Sequence, residues 1–428
     1  HERVYLPRVS LQPHMAYALL AQARIKQTDQ HLIDPFCGAG TILLEAASVY
    51  PWLSLTGTDY GEKATQGAFE NLQQAGLLES ASTYQLDVYH LSQTFQEGTF
   101  DAEIMKVVLN RMVQKEEVEL LLHSYIEGVK TGVNNQIEAV KIANKSGVST
   151  VTGDIFIDAT GDADISYMAG VPCQKGRDKD GLSQPMTMNF RIANVDKSKV
   201  PSGEKIDELY EKAKTEGEVH NPREDVLKFD TMQEDVVHFN TTRIVKKDAT
   251  DAEDLTEAEV EVREQVWEMF QFLQKNVSGF EDSYLQVTAP QIGVRESRRI
   301  VGEYILDKKD VIKGRKFDDS IAYCAYMIDI HNPSGTGTER AHLDKGDYYG
   351  IPYRSLLPQK VDNLLTAGRP ISSTHAAHSS LRIMPTCTAL GQAAGTAAAL
   401  CCQSGILPGE IEGEKVRKQL LEEGALRW

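Results

Sequence analysis

The period of the apolar positions changes along the chain. Its early part carries short apolar runs closed by turn residues: HLIDP (31–35), LSLTGTD (53–59) and TYQLDV (83–88). Runs of that length predict strands buried on both faces, as in a parallel sheet. Between them, TILLEAASVY and EKATQGAFENLQQAG place apolar residues at helical spacing, with Gly76 where a helix is capped. LQPHMAYALLAQARI (11–25) has the same spacing. The β-α-β-α-β order predicts a doubly wound unit.

The texture changes at EGTFDAEIMKVVLNRMV (97–113). Its first half reads as a loop entering a strand. Its second half predicts an amphipathic helix over 103–115, with Ile104, Val107, Val108, Met112 and Val113 on one side. VELLLHS (118–124), YIEGVKT, QIEAVKIAN and TVTGDIFIDA then follow as closely spaced strands, with turns at Asn134-Asn135 and Ser146-Gly147. That pattern predicts a meander feeding a last buried strand. A mixed region runs to about 360, with a charged, solvated helix near 256–275. The end is a strand (NLLTAGRP), a loop and a small-residue helix (MPTCTALGQAAGTAAALCCQSG). The fold class expected is α/β: a Rossmann-like parallel sheet with a β-meander and an inserted α+β substrate domain.

Composition narrows the partners. A chain of 428 residues has room for two domains or one large one. The net charge of −17 argues against a general nucleic-acid or anionic-membrane binder. The first 103 residues share that acidity, with 5 basic and 12 acidic side chains. Six scattered cysteines without a C-x-x-C pair predict reduced thiols and a cytoplasmic location. The longest apolar stretch, TAAALCC, falls short of the roughly 20 residues that span a bilayer, so no membrane partner is expected. No signal peptide is evident; the chain opens at His1, which leaves an upstream segment open. Oligomeric state is left open.

DPFCGAGT (34–41) sits between a strand and a helix. Glycines there let backbone approach a ligand, and a helix N-terminus offers free N–H groups. Asp59 ends the next strand, where a carboxylate can accept ribose hydroxyls, and Asp87 ends the third. The bland alternative is a turn that its glycines merely permit. IDPFCGAGTILLEAA resembles motif I of the S-adenosylmethionine-dependent RNA guanine-N2 methyltransferases that often carry a THUMP domain. The resemblance implies Asp34, Gly38 and Gly40 around the methionine part of the cofactor, Asp59 at the ribose and Asp87 at the adenine. That family's catalytic Asn-Pro-Pro-Tyr is replaced here by EIMKVV. RNA is therefore not expected as a partner of this truncated form.

From Phe100 onward the chain resembles the FAD-dependent oxidoreductases of the two-dinucleotide-fold type. The likeness runs through FIDATGDADISYMAGVPCQKGR, APQIGVRESRRIVGEYIL, IPYRSLLP and AGRPISSTHAAHSSLRIMPTCTALGQAAGTAAA. It implies FAD contacts at Thr160, Gly161 and Asp162, with Asp158 a further candidate, and at Gly368 and Arg369. Gly391, Gln392 and Gly395 are implied on the last helix, whose positive end would face the flavin. Gly391, Ala393, Ala394 and Gly395 are expected to let that helix pack closely, with Cys401 and Cys402 as buried apolar residues. Arg295, His375 and Arg382 are implied on the substrate side, as carboxylate-binding and proton-moving groups. An Arg in GVRESRR is as often structural, anchoring Glu296 or Glu303. His375 and His378 lack a third ligand at suitable spacing, so no metal is expected.

The resemblance divides the chain into residues 1–103, a partial methyltransferase-like Rossmann unit, and 104–428, an oxidoreductase-like region. Within the latter, 104–175 and 360–405 are the flavin-binding parts and 176–359 the substrate or cap part. The flavoprotein GxGxxG is missing before residue 104, and Leu43 lies at the offset of its third glycine. Three readings follow: a flavoenzyme acting on a small molecule, a methyltransferase fragment, or a non-catalytic junction of two truncated genes. The third is favoured as history, with the oxidoreductase as the family label and impaired or absent turnover expected.

Overall fold

The computed structural model describes residues 25, 27, 31–34, 37, 39–59, 62–85, 102–231, 233–344 and 346–426. Most of the helix expected over 11–25, Gly38, Asp87 and the TFD of the seam lie outside them. The chain forms two compact units, residues 1–101 and 102–428.

The first unit holds three parallel strands in the order β1 (His31–Asp34), β2 (Ser54–Asp59), β3 (Ala81–Gln85). Helices Thr41–Val49 and Glu62–Gln74 connect them, as the apolar spacing predicts. Leu43, Leu55, Leu72 and Ala68 form the centre of its core. Gly57 makes that packing possible: a Cβ there would stand 2.6 Å from Leu43 Cδ1 and 2.9 Å from Cys37 Cβ. Room that a dinucleotide fold makes with a glycine on its helix is made here by a glycine on the neighbouring strand, so Leu43 fits.

In the second unit, β4 (Tyr125–Thr131), β5 (Ile137–Asn144) and β6 (Gly147–Val151) form the antiparallel meander. Asn135 and Gly147 take positive φ, 57° and 104°, at its two turns. β7 (Phe156–Asp158) pairs in parallel with Leu364–Thr366. A four-stranded antiparallel sheet of Lys228–Asp230, Val237–Phe239, Phe190–Ala193 and Tyr284–Thr288 has its own core. Helix Ala252–Asn276 buries Val262, Val266, Met269 and Leu273 in that core and leaves its charged side solvated. Residues from Leu306 to Leu357 share a different core with the C-terminal helices. The fold is mixed α/β with several small sheets.

Several expectations are corrected. VELLLHS is not a strand: β4 begins at Tyr125, and Leu120, Leu121 and Leu122 are exposed. No described strand lies beside this segment to satisfy its backbone, and without a partner an extended run forms no ladder. Helix Ala102–Lys115 forms, but Val107 and Met112 on its apolar side are exposed. Cys401 is fully buried whereas Cys402 is exposed, because successive helical residues point about 100° apart. No described helix is long and apolar enough to cross a membrane.

Candidate active site

The chemistry of the second unit gathers beyond the C-terminal ends of two parallel strands, β7 and Leu364–Thr366. Open α/β sheets place ligands at such strand ends. Asp158 terminates β7 and is fully buried. One carboxylate oxygen accepts from Thr160 N (3.1 Å) and Oγ1 (2.7 Å), the other from Ser166 N (2.8 Å) and Oγ (2.7 Å). Asp158 therefore holds its own loop together and has little capacity for a ligand, contrary to expectation.

Thr160 in turn accepts from Asp164 N at 2.9 Å. Gly161 has φ +85°, and Gly368, on the adjacent strand end, has the same value. Arg369 bridges the two loops, donating through Nη2 to Gly161 O (3.0 Å) and to the Asp162 carboxylate (3.1 Å). Its Nη1 also donates to Val294 O. The structure thus brings Thr160, Gly161, Asp162, Gly368 and Arg369 together. A Cβ on Gly161 would lie 2.7 Å from Arg369 Nη2, so this contact requires glycine.

The segment after Val294 runs along these loops. Ser297 Oγ donates to Asp162, and Arg298 reaches Asp164 at 2.8 Å. Glu296, 1% exposed, binds Arg299 Nη1, accepts from Gln184 N (2.9 Å) and lies 2.8 Å from His375 Nδ1. A carboxylate only accepts hydrogen bonds, so Nδ1 of His375 carries the proton. In the neutral ring Nε2 then presents its lone pair, and it is buried without a partner among the described residues. Arg299, not Arg295, anchors Glu296.

Arg295 is buried. Its Nη1 donates to Pro185 O at 2.7 Å, and its Nη2 lies 3.5 Å from Asn240 Oδ1. Burial, then the neighbouring Arg382, Arg223 and Arg243, pull its pKa down to about 9, with Asp329 opposing. Arg382 caps helix His375–Leu381, and its covered Nε has no partner among the described residues. His378, on the same helix, is held neutral by burial and by the charges of Arg299, Arg382 and Arg369.

Sequence reasoning missed the acid and amide side of this cluster. Asp329 and His331 alternate with Ile328 and Ile330 on one short strand, and both are buried. Burial raises the Asp329 pKa, but hydrogen bonding and charge from His331, then Arg340 and Arg382, outweigh it and hold the carboxyl at about 2. Burial lowers His331 to about 4, with its hydrogen bond to Asp329 opposing and Arg295 and Arg382 reinforcing. Its Nδ1 lies 3.3 Å from Arg243 Nη2, a group that only donates, so Nε2–H faces Asp329 at 3.2 Å. Two polar residues on the inward side of an apolar strand were the available signal.

Helix Met384–Ser404 packs on β7 and Leu364–Thr366. Leu390, Ala393, Ala394 and Ala397 are each fully buried in the core that this helix shares with Leu365 and Ala367. Gly391 and Gly395 are not: a Cβ on either meets nothing within 4 Å, and with Gln392 they form an open stripe. Thr386, in the helix's first turn, is fully buried with Oγ1 unpartnered among the described residues.

In the first unit Gly40, φ +73°, caps helix Thr41–Val49, and Asn71 Nδ2 holds the loop through Ala39 O at 2.9 Å. Asp34 and Asp59 end β1 and β2 beside Cys37, whose thiol is raised well above the usual range by burial and then by these two carboxylates.

The chain resembles two kinds of protein. The U6 snRNA (guanine-N(2))-methyltransferase THUMPD2 of Bos taurus is 37% identical over 89 residues, 21% of this chain and 18% of that protein. The tRNA (guanine(10)-N2)-dimethyltransferase of Methanocaldococcus jannaschii is 27% identical over 140 residues, 33% of this chain and 35% of that protein. The chain thus spans about a fifth to a third of the length of these curated relatives. A solved structure of the flavin-dependent brominase Bmp2 aligns over 92% of this chain and 84% of its own, at 11% identity and a TM-score of 0.37. The family described as FAD dependent oxidoreductase matches residues 43–420. A partial methyltransferase likeness is therefore joined in one chain to an oxidoreductase match over most of its length, and the chain belongs to the FAD dependent oxidoreductase family.

Proposed function

We propose that the second unit keeps the flavin-edge and substrate side of an FAD-dependent oxidoreductase, and that the chain binds FAD weakly. Bound FAD would supply a two-electron acceptor. The observation that carries this reading is the set of buried, unpartnered groups around one helix pair: His375 Nε2, Arg382 Nε and Thr386 Oγ1. Thr386 and the open stripe of Gly391, Gln392 and Gly395 suit a flavin ring beside the positive end of their helix. Arg295 and Arg382 hold substrate, and His375 Nε2 takes its proton. In this reading the strands belong to a Rossmann-like architecture, with 176–359 inserted as the substrate part.

The other end of the cofactor is poorly served. No GxGxxG precedes residue 104, and Arg369 and Asp158 are engaged by the chain's own loops. Turnover is therefore impaired. Purified chain should release FAD on denaturation after incubation with FAD and rapid gel filtration, in less than molar ratio. A colourless chain that ignores added FAD overturns the proposal.

A second reading concerns the first unit alone. Asp34, Gly40 and Asp59 flank one loop, and the THUMPD2 likeness supports S-adenosylmethionine binding there, with Gly38 and Asp87 contributing. Methyl transfer is not expected, because EIMKVV replaces the catalytic Asn-Pro-Pro-Tyr. Calorimetry should show binding that Asp59→Ala abolishes; no heat with the parent chain removes the idea.

A further inference from the structure

Helix Ala102–Lys115 opens the second unit, and no described element packs along it. Its Leu109 and Met112 side chains lie exposed, and so do Val118, Leu120, Leu121 and Leu122 of the extended run that follows. A helix of 14 residues is marginal in water by itself. An apolar strip of this extent marks a surface that a partner covers. The turn between helix and run is fixed by its own backbone. Glu117 takes φ 55°, its N–H donates to Gln114 O at 3.2 Å, and the N–H of Val118 donates to Val113 O at 3.2 Å. That is the Schellman pattern, which ends a helix and redirects the chain.

Charge changes sign across that turn. The helix carries Lys106, Arg111 and Lys115 against Glu103, in a chain whose net charge is −17. Glu116, Glu117 and Glu119 follow at once. Arg111, Lys115 and these three acids have no ion pair among the described residues. Carboxylates at the negative end of a helix dipole are misplaced for the chain alone. They call for cations from outside, while Arg111 and Lys115 call for acids.

We infer that residues 102–125 pair with the same segment of a second copy of this chain, antiparallel about a two-fold axis near Lys115 and Glu116. A two-fold contact is isologous, so each complementarity is made twice. Outward from the turn, the helix presents Lys115, Met112, Arg111 and Leu109. The extended run presents its three acids and then Leu120 to Leu122. Reversed on itself, the segment sets cations over carboxylates near the axis, and leucine over leucine and methionine beyond it. An anionic lipid surface or an acidic protein would suit the cations but be repelled by the acids, and a basic partner the converse. The pairing does not depend on flavin binding.

The test is sedimentation velocity of the full chain from about 1 to 100 μM in about 0.15 M salt. The parent should associate to a dimer over that range. R111E with K115E, and separately E116K with E117K and E119K, should each weaken association about tenfold or more, because like charges then face each other. Mixed in equal amounts, the two swapped chains should form a heterodimer within about threefold of the parent affinity, since each helix again meets opposite charge. Should either swapped chain fail to fold, L109D takes its place and should also lose the dimer. A monomeric parent overturns the inference, whether the strip is then covered by another part of the chain or by a different partner. A dimer that survives these substitutions, or a mixture of swapped chains that stays monomeric, overturns it as well.

Discussion

Nδ1 of His375 lies 2.8 Å from the carboxylate of Glu296, and that contact decides which ring nitrogen is left for chemistry. Glu296 also neutralises Arg299, so one buried acid serves a structural cation and a reactive ring. Glu296→Ala should destabilise the second unit by about 3 kcal/mol, since it strands a buried guanidinium. Glu296→Gln should cost less and release the His375 tautomer. Nitrogen NMR of the ring should show the Nδ1–H form in the parent and a mixture in the Gln variant. The same tautomer in both would remove Glu296 from its positioning role.

His331 makes stability depend on pH. Its pKa lies at about 4 in the fold, against about 6.5 in the unfolded chain, so the unfolded state takes up the proton first. The stability tied to the neutral ring is fully present above about pH 6.5 and is lost as pH falls toward 4. The loss is on the order of 3 kcal/mol. Asp329, depressed to about 2, adds a second loss only below about pH 4. Urea midpoints measured from pH 7 to 4 should fall for the parent and stay flatter for His331→Gln. Parallel curves would contradict this assignment.

Gly161 and Arg369 form a steric pair as well as a hydrogen bond. Gly161→Ala places a Cβ at positive φ and against Nη2, so Arg369 must leave its contact with Asp162. A loss of about 1 to 3 kcal/mol in urea unfolding is expected. Arg369→Ala made together with Gly161→Ala should cost less than the two separate losses combined.

In the first unit, Gly57→Ala should destabilise by about 1 to 3 kcal/mol through overpacking against Leu43. Leu43→Ala in the same chain should recover part of that loss. Urea unfolding followed by the fluorescence of Trp52 reads this unit. Additive losses would mean that Gly57 and Leu43 do not share the space.

The strands of both units were largely legible, because short apolar runs closed by turn residues mark them. The meander turns at Asn135 and Gly147 were legible for the same local reason. VELLLHS was not, because its apolar run fits a strand and only the lack of a described neighbour leaves it unpaired. The site loops were readable as a set, yet the use of Asp158 on its own turn was not. A carboxylate that meets a ligand and one that binds the next N–H have the same sequence signature. Glu296, Gln184 and Asp329 escaped because partners that place them in the site lie between about 50 and 150 residues away along the chain. Small-residue spacing in helix Met384–Ser404 suggested close packing at Gly391 and Gly395, whereas Ala393, Ala394 and Ala397 provide it from the other face.

The flavin site we propose is complete at the ring and substrate side and weak at the dinucleotide end. Titration of the purified chain with FAD, followed by flavin fluorescence, tests it most directly. Saturable quenching with a Kd of about 1 μM or weaker, diminished in Arg382→Gln, is the result expected. Flavin that stays bound through exhaustive dialysis, or no quenching at any ratio, would contradict it.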